Sequence, residues 1–317
     1  MHRIGYFLTD GFQVMALGTQ SIFEFANLVA REQVYEVTNY SLAGGETRSS
    51  QGVVVKTRAV GDGTEADSWL VSGVVNPTAH VSDPRELDFV RRAGASARRT
   101  VGLCTGAFVL AEAGLLDARR ATTHWAYIEA LGQRYPRTRV DGDRLYVEDG
   151  PVWTSAGLTA AMDLSLGLVE RDLGPEIATR VAQVMVMDGR RSGKQSQQSE
   201  MLRLAPRSDR IQLALDYVRK HLSHPLRVED LAQAANLSAR QFGRIFRAET
   251  GQSPAKAITR LRIEAARNLI ERGRHSLEVI ARETGFRDRN HLREVFVREC
   301  GAAPRVLRRD ARSGDAH

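Results

Sequence analysis

This 317-residue chain predicts an α/β domain with a mainly parallel sheet, followed by an all-α domain holding two helix-turn-helix units. Three observations carry that prediction. Strand-like and helix-like segments alternate through the first half, as βαβ units do. Near the C-terminal end one pattern is written twice: VEDLAQAANLSARQFGRIFRAETGQSP from Val228 to Pro254, then LEVIARETGFRDRNHLREVFVRECGAAP from Leu277 to Pro304. Charge is also unevenly placed. The chain carries +7, yet from Asp209 to His317 there are 22 Lys and Arg against 14 Asp and Glu, and the rest sums to one negative charge. A positive excess confined to one half suits a module that neutralises phosphates.

The length accommodates two domains with separate cores. No run of about 18 apolar residues exists, which argues against a membrane span. The opening MHRIGYFLTDG is too short in apolar residues for a signal peptide and reads as a first strand. Two cysteines, Cys104 and Cys300, make no disulfide framework, and a reducing cytoplasm is the expected setting.

Arg3 to Leu8 reads as a short buried strand, and Thr9-Asp10-Gly11 as a turn. Phe12 to Ala30 has mostly a helical apolar period. Tyr35 to Leu42 alternates as a strand, Gly44-Gly45 is a turn, and Val53 to Val55 is another short strand. Ser68 to Val75 is a buried strand running into a loop at Asn76-Pro77, and Pro84 to Ala97 a helix. In RTVGLCTGAFVLAEAGLLDARRATTHW, Arg99 to Trp125, a strand from Thr100 to Leu103 ends at Cys104 and an apolar helix follows. A reactive side chain on a sharp strand-to-helix turn is the geometry of a nucleophile elbow. The helix N-terminus is expected to lower the thiol pKa. Val152 to Asp163 looks like a strand passing into a helix, and 188–208 is polar, rich in Ser and Gln, and reads as a linker. The domain limits are therefore 1–187 and 209–317.

In each copy of the doubled pattern a short helix (Leu231-Ala232; Ile280-Ala281) meets a break at Asn236 or Gly285, types that tolerate positive φ. Ser238 and Asp288 then cap a second helix. Phe242, Ile245 and Phe246 face inward at i, i+3, i+4. Arg240, Gln241, Arg244 and Arg247 are left outside. Gly251 and Gly301 end the helices. The second helix of such a unit enters the DNA major groove. A helix of roughly Pro254 to Arg272 joins the copies through Ile258, Leu261, Ile263, Ala265, Ala266, Leu269 and Ile270.

These paired units resemble the DNA-binding domain of the AraC/XylS family of transcription regulators. The Cys104 stretch resembles the DJ-1/PfpI branch of the class I glutamine amidotransferase-like superfamily, with His124 where that family often has a histidine. The first domain is thus expected to be a DJ-1/PfpI-like flavodoxin-type sandwich. Joined in this order, the halves look like GlxA-type regulators, and Arg190-Arg191 and Gln195 match a segment often seen at that junction. The partners this implies are double-stranded DNA, a small effector such as an amino acid or a quaternary amine, and a second copy in a homodimer. No cofactor or metal is implied.

Three readings compete for Cys104: a nucleophile activated by His124, a ligand pocket or oxidation sensor, and a buried structural cysteine. The chain departs from active relatives in three places. Thr105 stands where a histidine often follows the cysteine, Val14 aligns with a glutamate of DJ-1-like members, and Val71-Ser72-Gly73-Val74 lacks the usual Gly-Gly pair. These departures favour a non-catalytic sensing pocket over a reactive-thiol sensor or a cysteine-dependent hydrolase or hydratase. Ligands in open α/β sheets bind beyond the carboxyl ends of the strands, so the expected walls are Asn76, Pro77, Cys104, Thr105, His124 and Ser155-Ala156. Trp69, Trp125 and Trp153 are available to face a quaternary cation. Arg240 and Arg244 match positions that contact bases in the AraC family, and arginine binds guanine bidentately; Gln241 beside them suits a phosphate. On the second helix the candidates are Arg289, Asn290 and Arg293, while Glu294 replaces the usual arginine. Solvated surface side chains are the plain alternative for each.

Overall fold

The first sheet grows around β1 (His2–Phe7). Ile4 and Tyr6 enter one core and Phe7 the other, the period-2 placement of a strand buried on both faces. Gly5 lies under an indole: a Cβ there would sit 2.5 Å from the Trp69 ring. The structure, a computed structural model, describes all residues except 188, 189, 194, 198, 272–274 and 307–317. Its contacts divide the chain into two units, Met1–Gln197 and Gln198–His317.

After β1 come α1 (Met15–Gly18), α2 (Gln20–Ala30), β2 (Tyr35–Ser41), β3 (Gly45–Arg48), β4 (Val54–Ala59) and β5 (Ser68–Val71). Then follow α3 (Pro84–Ser96), β6 (Arg99–Gly102), α4 (Gly106–Glu112), β7 (Arg120–Ala121), a 3-10 turn at Trp125–Tyr127, α5 (Ile128–Arg134) and β8 (Arg139–Val140). β9 (Tyr146–Asp149), β10 (Val152–Ser155), α6 (Leu158–Leu173) and α7 (Pro175–Val184) complete the unit. The sheet order is β3-β4-β2-β1-β5-β6-β10-β9. Its inner pairs run parallel, and β3 and β9 close the edges antiparallel. The parallel strands thus deliver their carboxyl ends to one rim.

The helix expected from Phe12 to Ala30 is broken at Thr19, whose hydroxyl donates to the Ala16 carbonyl at 2.7 Å and also meets the Tyr6 hydroxyl at 2.7 Å. A local side-chain bond of this kind competes with helical continuation. The strand expected through Val75 stops at Val71. Among the described residues of 188–208, several bond back to the first unit. Arg191 binds Asp163, its amide N–H donating at 2.8 Å and its Nε at 2.7 Å, and Arg190 meets Glu170 at 2.6 Å. Asp188, Gly189, Lys194 and Gln198 lie outside the described residues.

The second unit contains α8 (Glu200–Leu204), α9 (Asp209–Lys220), α10 (Val228–Ala234), α11 (Ala239–Thr250), α12 (Pro254–Glu271), α13 (Leu277–Glu283) and α14 (Arg289–Cys300). Leu204 is buried in its first core with Ile211, Leu215, Leu231, Phe242 and Phe246. Ile280, Phe286, Leu292 and Phe296 form the second core. The joining helix, α12, gives Ile258 and Leu261 to one core and Ile263, Ala266 and Ile270 to the other; Arg272, its expected end, is outside the described residues.

Candidate functional site

At the strand carboxyl rim, β6 ends and the chain turns at Cys104 with φ 54°. A non-glycine residue there carries about 1–2 kcal/mol of strain. The surroundings over-determine the turn. Cys104 N–H donates to Ser155 Oγ at 3.3 Å, and the Thr123 hydroxyl donates to the Cys104 carbonyl at 2.9 Å. The Thr105 hydroxyl donates to the Val74 carbonyl at 2.7 Å and lies 3.2 Å from Gln13 Oε1. Gly73 and Gly106 let the backbones close: a Cβ on Gly73 would lie 2.1 Å from Thr105 Oγ1, and one on Gly106 2.2 Å from the Val71 carbonyl oxygen.

The thiol is not activated. Cys104 is 2% exposed, and burial pushes its pKa from 9.0 up to about 11, with only the Thr105 backbone acting the other way. The lowering expected from the helix N-terminus is overturned because desolvation of the thiolate outweighs it. His124 is half-buried, burial lowers its pKa, and its Nδ1 accepts the Ala126 N–H at 3.3 Å. Among the described residues no hydrogen bond joins Cys104 to His124, and no carboxylate bonds to Cys104 or Thr105.

Thr123 leads from the elbow to the end of the unit. The Gln197 amide donates to the Thr123 carbonyl at 2.8 Å, and also reaches Thr122 Oγ1 at 3.1 Å and the Gly142 carbonyl at 3.2 Å. Leu145 N–H donates to the Gln195 carbonyl at 3.0 Å, so this strap lies along the chain entering the edge strand β9. Gly193 permits the contact: a Cβ would be 2.5 Å from the Tyr146 carbonyl oxygen.

In the second unit the two copies share one frame. Asn236 and Gly285 turn at φ 53° and 75°, and Gly251 and Gly301 end the helices at φ 74° and 70°. Ser238 Oγ accepts the Gln241 N–H at 3.4 Å, and Asp288 Oδ1 accepts that of His291 at 2.8 Å. Phe242, Phe246, Leu292 and Phe296 are fully buried. Arg240, Gln241, Arg244, Arg289, Asn290 and Arg293 are all exposed. Two have local duties: Gln241 Oε1 accepts the Ser238 N–H at 3.2 Å as a capping box, and Arg289 pairs with Glu278 at 3.1 Å.

The DJ-1/PfpI family model matches residues 10–171. The chain belongs to the DJ-1/PfpI family. A helix-turn-helix domain model matches residues 231–310. The HTH-type transcriptional regulator GlxA of Rhizobium meliloti is 28% identical over 317 residues, covering 99% of this chain and 97% of that protein. An isonitrile hydratase of Pseudomonas putida is 37% identical over 137 residues, 42% of this chain and 58% of its own length. A crystal structure of an AraC family transcriptional regulator from Pseudomonas putida has a TM-score of 0.54 at 25% identity, over 58% of this chain and all of that one.

Within this DJ-1/PfpI domain the expected ligand residues divide. Cys104, Thr105 and Ser155 are buried together at the elbow, with Ala156 buried beside Ser155. His124 lies by Gly157, where a Cβ would be 3.5 Å from its Cδ2. Pro77 and Thr105 line one small cleft with Val74, His80, Ser82, Phe108, Val109 and Glu112. Asn76 is exposed and accepts from the Thr78 hydroxyl at 2.8 Å. Trp69 and Trp153 are core, each 1% exposed, so only Trp125, at 55%, is free to face a ligand. Sequence reasoning passed over Thr123, Gln13 and Gln197. Thr123 stood beside the chosen His124, and Gln197 lay in a stretch whose polarity looked like solvated linker.

Proposed function

We propose that the chain is a sequence-specific DNA-binding transcription regulator whose DJ-1/PfpI domain binds a small metabolite without turning it over. The observation that carries this is the doubled helix-turn-helix frame, in which turn, cap, buried apolar positions and terminal glycine recur in each copy. The buried thiol of Cys104, with no acid or base bonded to it among the described residues, supports sensing over catalysis. The effector is a small amine such as an amino acid or a quaternary ammonium compound, seated at the elbow rim between His124 and Trp125, where an aromatic face suits a cation. The regulator acts in the cytoplasm as a homodimer on paired half-sites.

The route of control starts at Thr123. A ligand that shifts the segment 122–124 alters the hold on Gln197, the last residue of the sensing unit. Coupling is reciprocal, so DNA must then change ligand affinity by the same factor. The test is a thermal-shift screen of amino acids, betaines, carnitine-like cations and polyamines on wild type and Trp125→Ala. A hit must raise the melting temperature as its concentration rises and is expected to weaken in the variant. With that hit, Gln197→Ala should keep ligand binding and lose the ligand's effect on operator affinity. Turnover of the hit, seen by mass spectrometry and lost in Cys104→Ala, would instead establish the enzyme reading.

A further inference from the structure

The shared frame makes residues fifty apart equivalent: Phe242 with Leu292 and Phe246 with Phe296 are all fully buried. Arg240 therefore corresponds to Asn290, Gly243 to Arg293, Arg244 to Glu294 and Arg247 to Val297. The outer faces differ chemically. On α11, Arg240, Arg244 and Arg247 are exposed, and their guanidinium groups make no hydrogen bond or ion pair with another described residue. On α14, Arg289 is held by Glu278 at 3.1 Å. At the four positions equivalent to Arg240, Gly243, Arg244 and Arg247, α14 carries one amide, one guanidinium, one carboxylate and a valine, Val297, at 44% exposure.

An arginine recognises the two acceptors of guanine, and an asparagine the donor and acceptor of adenine. A carboxylate in the major groove can only accept, and the cytosine amino group is the donor it suits; against guanine or phosphate it is repelled. We propose that, within the DNA segment bound by one chain, the two recognition helices read unlike halves. α11 takes a guanine-bearing half through Arg240 and Arg244. α14 takes a half bearing adenine and cytosine through Asn290 and Glu294, and Glu294 selects the cytosine. Phosphate attraction is concentrated under α11, so the α14 half contributes selectivity more than affinity. This rests on the DNA-binding reading above and specifies what the DNA must contain.

The experiment is selection from random-sequence duplex DNA with the full chain, as wild type, Glu294→Arg and Glu294→Gln. These exposed positions bear on no core, and equal melting temperatures would verify the fold. Wild type should enrich a guanine-bearing half and, about one helical turn (~34 Å) away, a half with cytosine at one position. Replacing that cytosine with guanine should weaken binding about ten-fold. Glu294→Arg should enrich guanine there and leave the other half unchanged, and Glu294→Gln should lose the cytosine. If Glu294→Arg kept the wild-type bases and merely bound more tightly, Glu294 would be no base reader and the proposal would fall, with the DNA-binding reading intact. If wild type enriched nothing, both would fall.

Discussion

Gly285 shows how much one residue can carry. It turns the second helix-turn-helix at φ 75°, and a Cβ there would lie 2.2 Å from the Leu222 carbonyl oxygen. That same carbonyl accepts from Arg262 Nε at 3.2 Å, while Arg262 Nη2 donates to the His224 carbonyl at 2.6 Å. Gly285→Ala should therefore cost about 3 kcal/mol, from left-handed strain plus the clash, read as a lower urea midpoint. Asn236→Gly, at the equivalent turn, should be tolerated. Buried acids of the first unit give a second expectation at this scale. Cys104 is raised to about 11 and Tyr146 to about 12, and Tyr6 and Tyr35 are raised as well, all chiefly by burial. Above pH 9 the unfolded chain releases these protons while the folded one holds them, so stability must fall as pH rises. Melting scans from pH 8 to 10.5 should show the decline, and Cys104→Ser should flatten its first part.

Elements differ in how far the sequence disclosed them. The doubled unit was legible because each helix boundary has a chemical mark: Ser238 and Asp288 as caps, Asn236 and Gly285 as turns, Gly251 and Gly301 as ends. β1, β5, β6 and β10 were legible as short apolar runs, and β2 as an alternating one. β3, β7, β8 and β9 were not, since strands of two to four residues with exposed positions carry too little periodicity. The elbow was visible in the strand-to-helix pattern at Cys104, but its state was not: the thiol pKa depends on burial created by strands and loops distant in sequence. For α11 the expectation is graded by position. Arg244→Ala should weaken specific binding by about 1–3 kcal/mol and relax one base position; Arg247→Ala should weaken all sequences evenly and lower the salt slope by about one. Fluorescence anisotropy across salt concentrations distinguishes the two.

For the molecule, the limit of the first unit is set by bonds rather than by composition. Asp163 is 1% exposed, and its two oxygens are taken by Arg191, from beyond α7. A fragment ending at Met187 leaves that carboxylate buried without its cation and strips the Gln195 and Gln197 contacts. It should be less stable than a fragment ending at Gln197 by about 3 kcal/mol or more, measurable by calorimetry. The second unit has the opposite arrangement, two cores threaded by a single helix. Because α12 is common property of both cores, neither helix-turn-helix can melt without exposing apolar surface of the other. The two DNA-reading halves are then one cooperative folding unit. Damage to either half would be felt as loss of the other, and the pair would respond to heat as a single event.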